Sequence, residues 1–327
     1  MNQACPSPGD STLTAAPRVS YGHSLPTALA ASNTLAAFSF DTQRAAPGDP
    51  RHLRVPLGVL GAPYGAIEYW QVDDSVAHGR EGELAWASGG GWLFVAMDVN
   101  EADHGGVAGA SEQAYAQLCA FLARHPAGQV QRLWNYLGQI NTGDGDRERY
   151  KRFCDGRAIG MGDFFAEGFP AATAVGHHAA EGWLQVYCLA ALKPGTRLEN
   201  PRQVAAWQYP RQYGPTPPSF ARAMRLPGGE LAISGTASII GHESQHIGQL
   251  EPQLDEILAN LEALLTHAGS AAGFDEHSPL KVYVRHPEQT QAIDEYLARH
   301  LPETPRLLLH GDICRAELLV EIDGWRY

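Results

Sequence analysis

One order of strand-like and helix-like segments occurs twice in this chain, and a duplication of that kind constrains the fold more than any single motif. In the second half, 220–224 and 230–233 read as strands joined by a turn at Pro227-Gly228-Gly229. Leu250, Leu254, Ile257, Leu258, Leu261, Leu264 and Leu265 then recur at helical spacing, with Asn260 and Glu262 between them. A strand follows at Leu280–Val284, and a second helix starts after Pro287 and carries Ile293, Tyr296 and Leu297. Strands at Arg306–His310 and 313–322 close the unit. In the first half, 93–97 reads as a strand, and Ser111 suits the N-cap of a helix bearing Tyr115, Leu118, Cys119 and Leu122. A strand at 130–137, a helix at 149–153 and strands at 173–175 and 184–189 complete the same order. Residues 130–134 align with 280–284, and 184–188 with 318–322. Duplicated units of this kind bury their sheet faces against each other. The expectation is an α+β chain of two tandem units, 51–195 and 196–327, with mixed β-sheets packed by helices. Residues 1–50, rich in Ala, Ser, Pro and Gly, read as a partly irregular N-terminal arm.

The chain has 327 residues, enough for one large or two ordinary domains, and its 44% hydrophobic content is that of a folded globular protein. It has no run of 18 apolar residues, so no membrane span is expected. The N-terminus has no basic region followed by an apolar core, so no secretory signal is expected. A formal net charge of −12 argues against nucleic acid or an anionic membrane as a general partner. It leaves an anionic small substrate open, because a local Arg cluster can outweigh a global excess of acid. The five cysteines are odd in number and scattered, without a CxxC pair, which fits a reduced, cytoplasmic protein.

The closing segment places Glu321 among Leu318, Leu319, Val320 and Ile322. A carboxyl buried in such a setting has its charged form disfavoured, and it can then donate a proton near neutral pH. The same pattern fits an acid on the solvated face of an edge strand. In the alignment of the two halves Glu321 is matched by Tyr187, so one acid site is expected rather than two. Arg222 alternates with Ala221 and Ala223 after the Pro-rich lead that begins at Tyr213. A guanidinium there could hold a carboxylate with two parallel hydrogen bonds, or lie exposed on a sheet face. Arg147, Arg149, Arg152 and Arg157 crowd one stretch. Arg147 and Arg149 suit a solvated helix face, whereas Arg157 follows Gly156, where the helix is expected to break, and is the better site candidate. Cys314 reads as a wall of a pocket, because a nucleophilic thiolate needs a base beside it. His242-Glu243-Ser244-Gln245-His246 contains the H-E-x-x-H pattern of zinc peptidases, but it lies before or at the start of the long helix. Gln249 and Pro252 stand where the extended pattern needs Gly and His, and only Glu262 has third-ligand spacing. His177-His178, adjacent in sequence, would point to opposite faces of a strand and reads as a loop.

The segments Tyr213-Gly214-Pro215, Phe220-Ala221-Arg222-Ala223, Ser234-Gly235-Thr236-Ala237-Ser238-Ile239-Ile240-Gly241-His242 and Cys314-Arg315-Ala316-Glu317-Leu318-Leu319-Val320-Glu321-Ile322 resemble those of the chorismatases. So do Arg132-Leu133-Trp134-Asn135-Tyr136 and Arg149-Tyr150 with Phe153 and Gly156-Arg157. The likeness runs from about residue 50 to the end. It implies units similar in fold to small trimeric YjgF/RidA proteins, a pocket near the junction of the units, and chemistry without metal or cofactor. The implied partner is the small molecule chorismate, a dianion with an enolpyruvyl ether, acted on by a monomer. Arg222, Tyr213 and Arg157 would bind it, and Glu321 would protonate the vinyl carbon so that pyruvate leaves. Hydrolytic members resembling this chain carry Ala with Gln at the positions of Ala237 and Cys314, and give a dihydroxycyclohexadiene acid. Members making 3-hydroxybenzoate carry Gly with Cys. The combination Ala237 with Cys314 resembles a third type, which makes 3- and 4-hydroxybenzoate together. The alternatives are the hydrolytic type, a non-catalytic binder of an aromatic acid, and a zinc peptidase using His242, Glu243 and His246.

Overall fold

A computed structural model describes residues 15–43, 48–179, 182–270 and 273–327. The chain begins with β1 (Arg18–Gly22), α1 (Leu25–Ala30), β2 (Thr34–Phe40), β3 (His52–Val55), β4 (Gly58–Gly61) and β5 (Ile67–Gln71). Next come β6 (Ala77–Glu81), β7 (Leu84–Gly89), β8 (Trp92–Asn100), α2 (Val107–Arg124), β9 (Gln129–Gly138), α3 (Arg149–Met161), β10 (Ala171–His177) and β11 (Trp183–Ala191). The last part holds β12 (Thr196–Leu198), β13 (Ala223–Arg225), β14 (Leu231–Thr236), β15 (Ile239–Ile240), β16 (Glu243–Ser244), α4 (Leu250–His267), β17 (Leu280–Val284), α5 (Thr290–His300), β18 (Arg306–His310) and β19 (Val320–Arg326). Among the described residues no helix is long and apolar enough to cross a membrane.

The α+β duplication is explicit in the strand order. One sheet runs β10-β9-β11-β8-β7-β6, and the other runs β18-β17-β19-β14-β13-β12, with β4 added beside β18. In both, the first pair is parallel (β9 with β10, β17 with β18) and the next pairs are antiparallel. Each sheet carries its two helices at the same places in the order, α2 and α3 in one and α4 and α5 in the other.

The N-terminal strands depart from the expected irregular arm. They form a third sheet, β3-β2-β5-β1, which repeats the first four places of the other two: a parallel pair, then two antiparallel pairs. Helix α1 lies between β1 and β2 as α2 lies between β8 and β9. Residues 52–71, expected inside the first unit at 51–195, supply β3, β4 and β5. The sequence hid this sheet because β2, Thr-Leu-Ala-Ala-Phe-Ser-Phe, is buried at six of its seven positions and so lacks an apolar–polar alternation.

The three sheets turn their inner faces toward one aromatic core. Phe38 and Trp70 come from the N-terminal sheet, Phe94, Trp134, Tyr136 and Tyr187 from the first repeat, and Tyr283 and Trp325 from the second. Trp134 stacks on Tyr187 with ring centres 4.8 Å apart, and Trp70 meets Trp325 edge to face at 5.8 Å. The outer faces of the two larger sheets are covered by their helices, giving two further cores.

Pairing corrects the residue alignment of the repeats. Trp134 stands opposite Tyr187, and Tyr283 stands opposite Glu321. Tyr187 and Glu321 therefore correspond only if Trp134 corresponds to Tyr283 and not to Val284. Trp134 and Tyr283 both face the aromatic core, whereas Val284 faces the helices. A slip of one residue exchanges the faces of a strand, so the shift is required. Two other expectations change. Ser111 lies inside α2, where its hydroxyl donates to the Val107 carbonyl at 2.6 Å, and Gly106 (φ 104°) precedes the helix. Helix α3 also runs straight through Gly156 to Met161. Gly156 is there for contact, because a Cβ on it would sit 1.9 Å from the Ala108 carbonyl oxygen of α2, and one on Gly160 would sit 2.3 Å from that of Glu112.

Gly156→Ala is therefore expected to push α3 off α2 and to lower stability by about 1–3 kcal/mol, the usual cost of overpacking. Denaturant unfolding of the variant checks this, and an unchanged midpoint would contradict the close helix contact.

Candidate active site

A cavity of about 310 Å3 opens where the first repeat meets the second. Strands β9 and β10 and helix α3 wall one side, and the 209–222 segment, β14 and residues 314–321 wall the other. The volume is that of a pocket for a small molecule. Glu321, Cys314, Ala237, Arg222, Tyr213 and Arg157 all line it.

Glu321 is the second residue of β19, and only 5% of it is exposed. Its carboxyl lies against the backbone of Gly235, where an added Cβ would sit 1.9 Å from Oε1. Gly235 falls where the pairing of β14 with β19 shifts register, so a bulge and a residue without a side chain together make room for the acid. No described residue donates a hydrogen bond to the Glu321 carboxyl. Burial, and then the nearby charge of Asp323, push it up to about 8, against the pull of Arg132, Arg222 and Arg285. The acid thus keeps its proton far above the ordinary carboxylate range.

Arg222 lies just before β13. Its Nη2 donates to the Val204 carbonyl at 2.9 Å and to the Tyr209 hydroxyl at 2.8 Å, while its buried Nε has no partner. The guanidinium lies over the rings of Phe220 and Tyr209, at 5.0 and 5.7 Å. Arg157, on α3, lies over the Tyr115 ring at 4.9 Å, and its buried Nε and Nη2 have no partner. Neither guanidinium forms an ion pair with a carboxylate of the described residues, although both are only 4% exposed. Buried guanidiniums with unused N–H groups are suited to an anion.

Tyr213 shares a hydrogen bond with His242 Nδ1 at 3.3 Å and lies under the guanidinium of Arg315 at 4.0 Å. Arg315 is a third cation on the cavity wall, held by the His242 carbonyl at 2.9 Å and the Ser244 hydroxyl at 3.1 Å. It escaped notice as a site residue, as did Asn135, Asn141, Tyr150 and Thr173. All but Asn141 and Thr173 lie in segments that carry the family likeness, which was the available signal. Ala237 is buried, and Cys314 packs against both the aromatic core and the α2–α3 core. Burial first, and Glu321 next, push the Cys314 thiol up to about 12, so it is no thiolate at neutral pH.

The other candidates lie elsewhere. The H-E-x-x-H residues sit on the β15–β16 hairpin and just beyond it, not on a helical turn. His242 turns to Tyr213, while His246 (φ 55°) lies 3.6 Å from Glu256. Among the described residues no three His, Cys, Asp or Glu side chains are grouped to hold a metal ion. The zinc-peptidase reading fails on this donor geometry. His177 ends β10 and is not in a loop, and His178 stacks on His310 at 4.0 Å. Arg149 pairs with Glu101 at 2.6 Å, and Arg147 is exposed.

Comparison with known proteins agrees with this geometry. A family model described as "Chorismatase FkbO/Hyg5-like, N-terminal" matches residues 68–190. A "3-hydroxybenzoate synthase" of Streptomyces hygroscopicus is 36% identical over 276 residues, covering 79% of this chain and 80% of that protein. A "Chorismatase" of Streptomyces rapamycinicus is 36% identical over 280 residues, covering 79% and 81%. A crystal structure of a chorismatase superposes with a TM-score of 0.83 at 30% identity, covering 97% of this chain and 99% of that one.

The thiol gives a direct check of the site's electrostatics. With a value of about 12, Cys314 alkylation by iodoacetamide should still climb about tenfold per pH unit between pH 8 and 10. Peptide mapping by mass spectrometry follows it, and a rate that levels off below pH 9 would contradict the half-buried, acid-flanked setting.

Proposed function

The chain belongs to the chorismatase family, and from that premise we propose that it cleaves the enolpyruvyl ether of chorismate to pyruvate plus 3-hydroxybenzoate and 4-hydroxybenzoate, with Glu321 as general acid. The observation that carries the reading is a buried carboxyl, pushed up to about 8, in a cavity whose guanidiniums Arg222 and Arg157 keep buried N–H groups without partners among the described residues. Chorismate has two carboxylates for these cations, with Arg315 and Tyr213 beside them. Glu321 gives its proton to the terminal vinyl carbon. The bond from the ring to the ether oxygen then breaks, that oxygen leaves as the keto oxygen of pyruvate, and the proton lost from the ring as it becomes aromatic restores the acid. A hydroxybenzoate and pyruvate together contain the atoms of chorismate, so this route consumes no water. The hydrolytic route to the dihydroxycyclohexadiene acid takes up one.

Product choice depends on the fate of the protonated ether: capture by water, attack by the neighbouring ring hydroxyl, or loss of a ring proton. Ala237 and Cys314 both border the cavity that Glu321 enters. Ala against Gly is one methyl, enough to exclude or admit a ring position. Cys against Gln exchanges a weak donor for an amide that holds a water through donor and acceptor groups together. Barrier differences of about 1.4 kcal/mol change such ratios tenfold.

Glu321→Gln keeps the shape and removes the acid, and is expected to slow pyruvate release by about 10²–10⁴-fold. In the unaltered protein the protonated form is the active one, so kcat/KM should fall as pH rises through about 8. A Gln variant near the original rate would refute the assignment.

Ala237→Gly should shift product toward 3-hydroxybenzoate, and Cys314→Gln toward the non-aromatic diol. Chromatography of the products reads both, and unchanged ratios with activity retained would mean these residues do not steer the reaction.

A further inference from the structure

Asp323 is a buried acid that does not line the cavity and that the proposed reaction does not use. It lies two residues beyond Glu321 on β19, so both side chains leave the same face of the strand. Its Oδ2 accepts four hydrogen bonds: from Arg132 Nη2 at 3.1 Å, Trp134 Nε1 at 3.0 Å, Thr173 Oγ1 at 2.8 Å and the Tyr283 hydroxyl at 2.9 Å. Four donors on one oxygen, the Arg132 guanidinium among them, are the surroundings of a carboxylate. Two of these donors reach back to Glu321. Tyr283 is its cross-strand neighbour, and the Thr173 hydroxyl also accepts from the Gly235 N–H at 3.0 Å. Gly235 is the backbone against which the Glu321 carboxyl rests.

We propose that Asp323 is a positioning residue for the catalytic acid: a fixed negative charge behind Glu321 that keeps it protonated, and an anchor, through Thr173, for the Gly235 backbone that shapes its seat. This rests on the reading of Glu321 as general acid. The charged and titratable groups that face Glu321 are Asp323 on its own strand, Tyr283 on β17, Arg132 on β9, Arg157 and Tyr150 on α3, Arg222 before β13, Arg285 after β17, and Cys314. Apart from burial, Asp323 is the group that most strongly opposes ionisation of Glu321, while Arg132, Arg222 and Arg285 favour it. Arg132, fully buried and 3.1 Å from Asp323, balances that charge.

The test pairs two variants with opposite expected signs. Asp323→Asn removes the anion and should lower the midpoint of the Glu321 carboxyl by about one pH unit or more, whereas Arg132→Met leaves the anion unbalanced and should raise it. The midpoint is read without substrate from the carboxyl band in infrared difference spectra, each variant against its own Glu321→Gln partner. The pH limb of pyruvate release is read in parallel. A purely structural role would lower amplitude or stability and leave both midpoints in place. If Asp323→Asn alone does not fold, the double variant Arg132→Met with Asp323→Asn, which removes the whole buried pair, takes its place, and its midpoint should lie below that of Arg132→Met. Unmoved carboxyl midpoints in the folded variants overturn the proposal. If the carboxyl moves while the activity limb stays, the coupling stands and the assignment of Glu321 as the acid fails.

Discussion

Two ion pairs in the middle of an aromatic core tie the structure together. Arg132 meets Asp323 at 3.1 Å and Lys281 meets Glu68 at 3.2 Å, and none of the four side chains is more than 2% exposed. Charges taken this far from water cost several kcal/mol each unless their partners and remaining hydrogen bonds are in place. Here the charge partners come from across sheet boundaries, while Arg132 Nε and Asp323 Oδ1 are left without a hydrogen bond among the described residues. Arg132 belongs to the first repeat and Asp323 to the second, while Lys281 belongs to the second and Glu68 to the N-terminal sheet. Trp70 donates to Glu68 at 2.8 Å, and Lys281 reaches the Tyr187 hydroxyl at 3.3 Å. A slip of any sheet by one residue would leave a charge unpaired. The polar pairs therefore select one relative placement of the sheets, which aromatic packing alone would leave less sharply defined.

That placement decides where a cavity can form. With the inner faces closed by the aromatic core, the open space lies along the seam between repeats, walled by Asn135 and Thr173 of one and by Gly235 and Glu321 of the other. The duplication offers a second place for an acid at Tyr187, but that side chain is fully buried and stacked on Trp134. One repeat thus spends the position on the core and the other on the site.

The legibility of the chain follows the same division. Strands β17 and β18 and the start of α4 agree with the sequence reading residue for residue, because their turns and periodicity are local. The N-terminal sheet was not legible, since its inner strand β2 is buried on both faces and loses its alternation. The stretch 313–319 reads as part of the last strand, yet it precedes β19 as a loop whose Ile313 and Leu318 plug the aromatic core. Composition cannot separate an apolar plug from an apolar strand. At the site, Glu321 could be read from its apolar neighbours, and the other five candidates gained weight from the family likeness. Arg315 lies in the same likeness, but its part in the site is set by a ring about a hundred residues away in sequence, that of Tyr213. Asp323 and Thr173 acquire meaning only once the strands are paired.

The cations and the acid in this cavity work against each other in the free protein. Arg132, Arg222 and Arg285 all favour ionised Glu321, and only burial and Asp323 hold it protonated. On the proposed reaction the balance tips when the substrate enters. A dianion that engages Arg222 and Arg157 offsets their positive charge and brings two negative charges of its own near Glu321. Both effects disfavour a further anion, as does the water that the substrate displaces. The guanidiniums that recruit the substrate are then largely neutralised at the moment when the carboxyl must keep its proton. Arg132 stays paired with Asp323 throughout, because it lies behind the wall of the cavity and out of the substrate's reach. A site that needs cations for binding and a neutral acid for chemistry can thus meet both demands, provided one anion, Asp323, remains permanently on the far side of the acid.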